Sequence, residues 1–177
     1  MNNLRTIARP EKSEYAPYYE TYVSLIKGDD ILSVLKENKI ETQNILAEIA
    51  EEKAHFRYAP SKWSIKELLG HMIDTERIFA YRALRFARND QTPVEGFDQD
   101  PYIENAAFDN CRFTDLIAEF AFVRDANILM FQNFPDEAWT RLGTASENPV
   151  SVRALAFMIA GHELHHLNIL KERYLAR

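Results

Sequence analysis

The sequence predicts an all-α protein: an up-down-down-up four-helix bundle with a long crossover between its second and third helices. Three observations lead there. Four long segments space their apolar residues at helical intervals. Breakers are sparse, with 5 Gly and 7 Pro in 177 residues, too few for a turn-rich β fold. The connection between the second and third segments is long enough to travel the length of a bundle. The length reads as one domain over 1–177, able to bury roughly two-thirds of its unfolded surface.

Residues 1–29 read as an N-terminal arm, partly helical, with Tyr15, Tyr18, Tyr19 and Tyr22 to pack on the bundle. The first long helix runs from about Asp30 to Ala50, with Ile31, Leu32, Leu35, Ile45, Leu46 and Ile49 as its apolar residues. The second opens on a capping box. Ser64 accepts from a first-turn N–H and Glu67 reaches back, and the pattern continues to about Asn89. The third runs from about Phe113 to Asn133 and stops before Pro135. The fourth follows Pro149, with Ser151 as N-cap, and continues to about Tyr174. Asp90 to Asn110, with Pro93, Gly96 and Pro101, is the crossover. The second helix spans about 39 Å. The crossover reaches roughly 60 Å if extended, so helices two and three can run parallel.

The chemistry lies in histidines. His162 and His166 are four apart, on one face of the fourth helix. At about 100° per residue, His166 lies about 40° from His162, among Leu155, Ile159 and Ile169. His71 faces the core of the second helix in the same way, beside Thr75 and Ile78. If the two helices are antiparallel, the three rings share one level. Three neutral rings buried without partners would each cost on the order of 1–3 kcal/mol. The constellation therefore points to one divalent transition metal ion, with open positions for catalysis. Zinc, nickel, iron(II) and copper all suit such a donor set, and the sequence does not choose.

His162-Glu163-Leu164-His165-His166 also matches the H-E-x-x-H of zinc proteases. Those enzymes take a third ligand downstream. Only eleven residues follow His166 here; they hold no x-x-Gly-x-x-His extension, and Glu172 is too close on the same helix. Nor does the sequence show strands to form a substrate-binding edge. His165 sits at the edge of the apolar stripe, and His55 reads as a surface residue.

Three blocks carry a family resemblance. They are Lys62-Trp63-Ser64-Ile65-Lys66-Glu67-Leu68-Leu69-Gly70-His71, then Asp74-Thr75-Glu76-Arg77, then Gly161-His162-Glu163-Leu164-His165-His166-Leu167. With their spacing, the chain resembles the DinB-like superfamily of metal-binding four-helix bundles over nearly its whole length. The label is shared with a DNA polymerase, which is not meant here. The resemblance implies the up-down-down-up bundle and a metal triad of His71, His162 and His166. It also brings three activities into view: transfer of low-molecular-weight thiols such as bacillithiol, a mycothiol-dependent isomerisation, and metal-dependent hydrolysis.

The leading expectation is an enzyme that transfers such a thiol to an electrophilic small-molecule substrate. A metal lowers the pKa of a bound thiol, so that a thiolate is available at neutral pH. The alternatives are hydrolysis by metal-activated water and a non-catalytic metal-dependent stress-response or binding protein. Two carboxylates are candidate catalytic residues. Glu163 either approaches the metal as a base or pairs with a neighbouring cation. Asp74, one turn from His71, either supports a ligand imidazole, binds substrate or pairs between helices. Arg82 faces inward and suggests a buried ion pair with a carboxylate. Trp63 is expected to pack the bundle end. Phe97, Tyr102 and Phe108 suggest that the crossover walls the pocket.

A net charge of −6 argues against nucleic acid or an anionic membrane surface as partner. The single Cys111, the lack of a signal-peptide pattern and the lack of a long apolar run point to the cytoplasm. Phe157, Ala160, Leu164 and Leu167 form a second apolar face on the fourth helix, opposite the histidines. That face suggests a homodimer, or cover by the arm or crossover. Dimers are also common in the family resembled.

Overall fold

The computed structural model describes residues 6–28 and 30–176. Six helices follow in order: α1 Glu20–Val23, α2 Ile31–Ala47, α3 Ile65–Ala87, α4 Gln99–Ala106, α5 Phe113–Gln132 and α6 Val152–Ile169. The four long ones, α2, α3, α5 and α6, make the bundle. A π-helical turn, Leu170–Leu175, extends α6.

Each long helix starts where a side chain satisfies its free N–H groups. Asp30 accepts from Leu32 and Ser33 at the head of α2. Ser64 and Glu67 form the expected reciprocal cap on α3. Ser151 accepts from Ala154 at 3.0 Å on α6. The N-terminal residue of α5, Phe113, instead donates to the carboxylate of Glu51, 62 positions earlier, at 2.9 Å. The same carboxylate takes buried Lys66 at 2.5 Å, and Lys66 also donates to the carbonyl of Cys111 at 2.7 Å. The starts of α3 and α5 are thereby tied together.

Pairings along the helices establish the topology. α3 and α5 run parallel: they are linked near their starts through Lys66, midway through Glu76 and Arg124, and at their ends through Arg88 over the Phe134 ring. α2 and α6 also run parallel, with Asn38 donating to Ala160 and Thr42 to Glu163. α3 runs against α6, bringing His71 to His162 while Tyr174, just beyond α6, bonds the Trp63 carbonyl ahead of α3. This is the up-down-down-up bundle.

The connection between α5 and α6 holds two short strands that the sequence reading did not foresee. β1 Leu142–Ala145 and β2 Asn148–Ser151 pair antiparallel, Leu142 opposite Ser151. Their turn residues, Ser146 and Glu147, adopt φ of 50° and 64°. Such a turn is usually announced by Asn-Gly; Ser-Glu gives no signal. Val94 of the crossover bridges Ala145 of this hairpin. Arg82 serves the same junction. It donates to the Glu95 carbonyl at 2.8 Å and the Ser146 hydroxyl at 3.2 Å, in place of the expected carboxylate.

The second apolar face of α6 is covered by the chain itself. Phe157, Ala160 and Leu167 are buried, and Leu164 packs against the core. The arm does much of the covering: Ile7, Tyr22, Val23 and Ile26 are buried and the Arg9 guanidinium lies over the Phe157 ring. Residues 1–5 and 29 of the expected arm lie outside the described residues. The covered face therefore no longer argues for a homodimer. No helix among the described residues is long and apolar enough to cross a membrane.

Candidate metal centre

Two glycines prepare the site. Gly70 and Gly161 each directly precede a histidine, and each admits a neighbour closer than a side chain would allow. A Cβ at Gly70 would lie 2.4 Å from the Phe108 ring of the crossover. A Cβ at Gly161 would lie 2.2 Å from the Tyr22 carbonyl oxygen of the arm. Crossover and arm are thus drawn against α3 and α6 beside His71 and His162.

His71, His162 and His166 then converge, at 4%, 5% and 8% exposure. Nε2 of His162 lies 3.0 Å from Nε2 of His71 and 3.0 Å from Nε2 of His166. One candidate ligand atom from each of the three falls within 4.8 Å of the others. Burial, the dominant cause, holds His71 down at about 4 and His162 and His166 well below their ordinary value. The rings are therefore neutral at pH 7. A nitrogen of a neutral imidazole offers either one N–H or one in-plane lone pair, so His162 Nε2 cannot satisfy both neighbours by hydrogen bonding. Nδ1 of His166 also has no partner among the described residues. Three neutral imidazole donors facing one point fit a transition metal ion.

The surroundings orient the rings. Trp63 lies against His71, ring centres 4.8 Å apart. Thr75 Oγ1 is 3.5 Å from His71 Nδ1, at the far limit of a hydrogen bond. Tyr22 meets the His162 ring edge-on at 5.3 Å. Two clefts reach the triad. One, of about 330 Å³, runs between Tyr18, Tyr19, Tyr22, Phe79 and Phe97 and touches His71 and His162. The other, of about 360 Å³, runs between Tyr58, Lys62, Trp63 and Tyr174 and touches His166. Gln99, at the head of α4, borders both.

A family model, that of the DinB superfamily, matches residues 35–170. The chain belongs to the DinB superfamily. Among solved structures it is similar to YfiT from Bacillus subtilis, described as "a probable metal-dependent hydrolase with an unusual four-helix bundle topology". The TM-score is 0.72 at 13% identity, over 96% of this chain and 95% of the other. At that identity the likeness is one of fold. No curated protein matches.

Within this DinB-superfamily bundle the two candidate catalytic carboxylates stand apart from the histidine nitrogens. Asp74 is half-buried on α3, 3.9 Å from Arg77 of the same helix, and burial raises its pKa. Glu163 is buried, with Arg124 donating to one oxygen at 2.6 Å and Thr42 to the other at 2.7 Å. Burial, its largest influence, raises the Glu163 carboxyl against the opposing pull of Arg124. His55 bonds Lys66 at 3.1 Å, and His165 packs on Tyr22. Trp63, expected only to pack the bundle end, lines a cleft and touches His71. Arg124 went unnoticed in the sequence. Its signal was a cation four residues from Phe120 and from Ile128, within the apolar stripe of its helix.

The histidine pKa values predict acid sensitivity in metal-free protein. The unfolded chain binds protons at these rings near pH 6.5, the folded chain at His71 only near 4, and burial holds His162 and His166 well below their ordinary value. Stability conferred by the neutral rings is present above the unfolded value and is lost as pH falls toward 4. Three rings give a slope of up to about 4 kcal/mol per pH unit within that window. Urea midpoints of chelated protein at pH 7, 6 and 5 measure it. A midpoint that stays level would contradict the buried, neutral triad.

Proposed function

We propose that the protein is a metal-dependent enzyme that transfers a low-molecular-weight thiol to an electrophilic small molecule. The observation that carries this reading is the approach of two clefts to one triad. A transfer needs places for two substrates, and each cleft falls in the size range of a small-molecule site. A divalent ion held by His71, His162 and His166 would supply Lewis acidity, lowering the pKa of a thiol or water beside it.

The chain's own residues divide the remaining work. Lys62, exposed and without an ion pair among the described residues, gives its cleft a cation suited to an anionic thiol cosubstrate. Tyr18 and Tyr22 share a hydrogen bond of 3.1 Å and, with Phe79 and Phe97, offer an aromatic wall to an uncharged electrophile. Trp63 keeps the His71 ring from turning. Glu163, with both oxygens engaged, belongs in this reading to the support of the site, and Asp74 to the contact between helices.

Hydrolysis is the second reading, favoured by the description of YfiT. It needs one substrate and water, leaving one cleft without a role. Turnover of electrophiles by metal-loaded protein with bacillithiol, with glutathione and with no thiol separates the two. Thiol-dependent consumption of the electrophile is the expected result. Equal turnover without thiol would favour hydrolysis. Turnover in none of the three would favour a non-catalytic binding role.

A further inference from the structure

Deeper in the bundle, beside the triad, lies a charged cluster. Arg124, Glu76 and Glu163 are exposed to 1%, 3% and 2%. Nε and Nη2 of Arg124 each donate to Glu76 at 2.8 Å, and Nη1 donates to Glu163 at 2.6 Å and to the Leu35 carbonyl at 3.1 Å. Asn127 donates to Glu76 at 3.1 Å and Thr42 to Glu163 at 2.7 Å. One guanidinium thus faces two carboxylates. No second cation enters these bonds among the described residues. A surplus negative charge in an apolar interior is costly unless a positive charge stands near it.

The triad is where such a charge would stand. Glu163 follows His162 in the chain. A small cavity of about 10 Å³ is lined by His162, Thr75, Glu76, Arg124 and Glu163. That is room for about one water molecule. The cluster and a ligand histidine therefore border the same small space, and all of these side chains are buried, so screening between them is weak.

We infer that Glu163 and Glu76 are positioning residues of the metal centre: bordering the same small cavity as His162, their surplus negative charge strengthens the hold of the triad on a divalent cation. Arg124 limits that surplus to one unit and fixes both carboxylates in place. The inference rests on the reading that the triad holds such an ion. It assigns the cluster no contact with substrate.

Zinc affinity by chelator competition tests it on the full chain. Glu163→Gln and Glu76→Gln should each weaken zinc binding by about 10–100-fold, the usual effect of losing an outer partner of a metal ligand. Circular dichroism checks that each variant keeps its helices, and Glu76→Gln carries the test if Glu163→Gln does not fold. Copper(I), held in reductant without air, separates charge from distortion. A charge effect scales with the charge of the ion, so the copper(I) loss should be about the square root of the zinc loss. Equal losses for the two ions would show a bent site and overturn the inference. So would zinc affinity unchanged in both variants. A wild-type chain that binds neither ion removes the reading of the triad as well, an outcome distinct from either.

Discussion

Replacing His162 with Ala should strip the protein of its metal and leave the bundle standing. His162 is the middle member of the triad, 3.0 Å from each of the other two ring nitrogens. Its removal takes away a donor and parts the remaining pair. Loss of a ligand should exceed the about 10–100-fold typical of an outer partner, so the affinity should fall by more than 100-fold. The fold has separate support. One apolar cluster joins α2, α3, α5 and α6 through Leu35, Phe86, Phe131 and Phe157; a second joins Leu46, Leu69, Phe113 and Leu170. The cavity left by the ring costs about 2–5 kcal/mol, less than a domain of this size usually holds. Metal analysis and circular dichroism on the three single His→Ala variants measure both effects. Full metal retention in all three would dismiss the site. Unfolding on chelation would show that the ion is structural.

Arg124→Met should be among the most destabilising substitutions in the chain. It leaves Glu76 and Glu163 buried without their guanidinium. Breaking a buried ion pair on one side costs about 3–5 kcal/mol. The deficit should depend on pH with a definite sign. Burial already raises the Glu163 carboxyl against the pull of Arg124, and without that guanidinium its folded-state pKa lies further above its unfolded value. The folded variant is then best placed at low pH, and its deficit against wild type grows as pH rises through that folded value. Urea unfolding of both proteins at pH 7 and pH 5 reads the difference. Adding Glu76→Gln and Glu163→Gln should restore much of the stability, because the harm comes from charge without a partner. A loss below about 1 kcal/mol, or one that is level with pH, would mean that the cluster is only weakly electrostatic.

What the sequence disclosed follows from the range of each signal. Caps are local, so Ser64 and Ser151 announced the starts of α3 and α6. The same-face spacing of His162 and His166 is also local, and the length of the crossover was enough to infer parallel α3 and α5. Pairings between distant segments were hidden. Glu51 caps α5 from 62 residues away, and no pattern in either segment shows it. Apolar character on α6 was legible, but not its cover, because Phe157 reads alike whether it meets the arm or another chain. The hairpin escaped because Ser146 and Glu147 enter a left-handed turn without glycine or asparagine.

Gly70 and Gly161 have a consequence for the passage of molecules in and out. The arm cannot swing away from α6 as a hinged flap without parting the Tyr22 backbone from the turn that carries His162. The tyrosine wall is therefore packed directly on the turn that carries a ligand histidine. Phe108 is seated as closely beside His71, so the far end of the crossover is moored too. Between its tie to the hairpin at Val94 and that mooring lies α4, carrying Gln99 on the rim of both clefts. A movement of this stretch would widen both entrances at once. Traffic to the histidines would then be paced by one short helix, and substitutions along α4 should alter exchange rates before they alter what the site can hold.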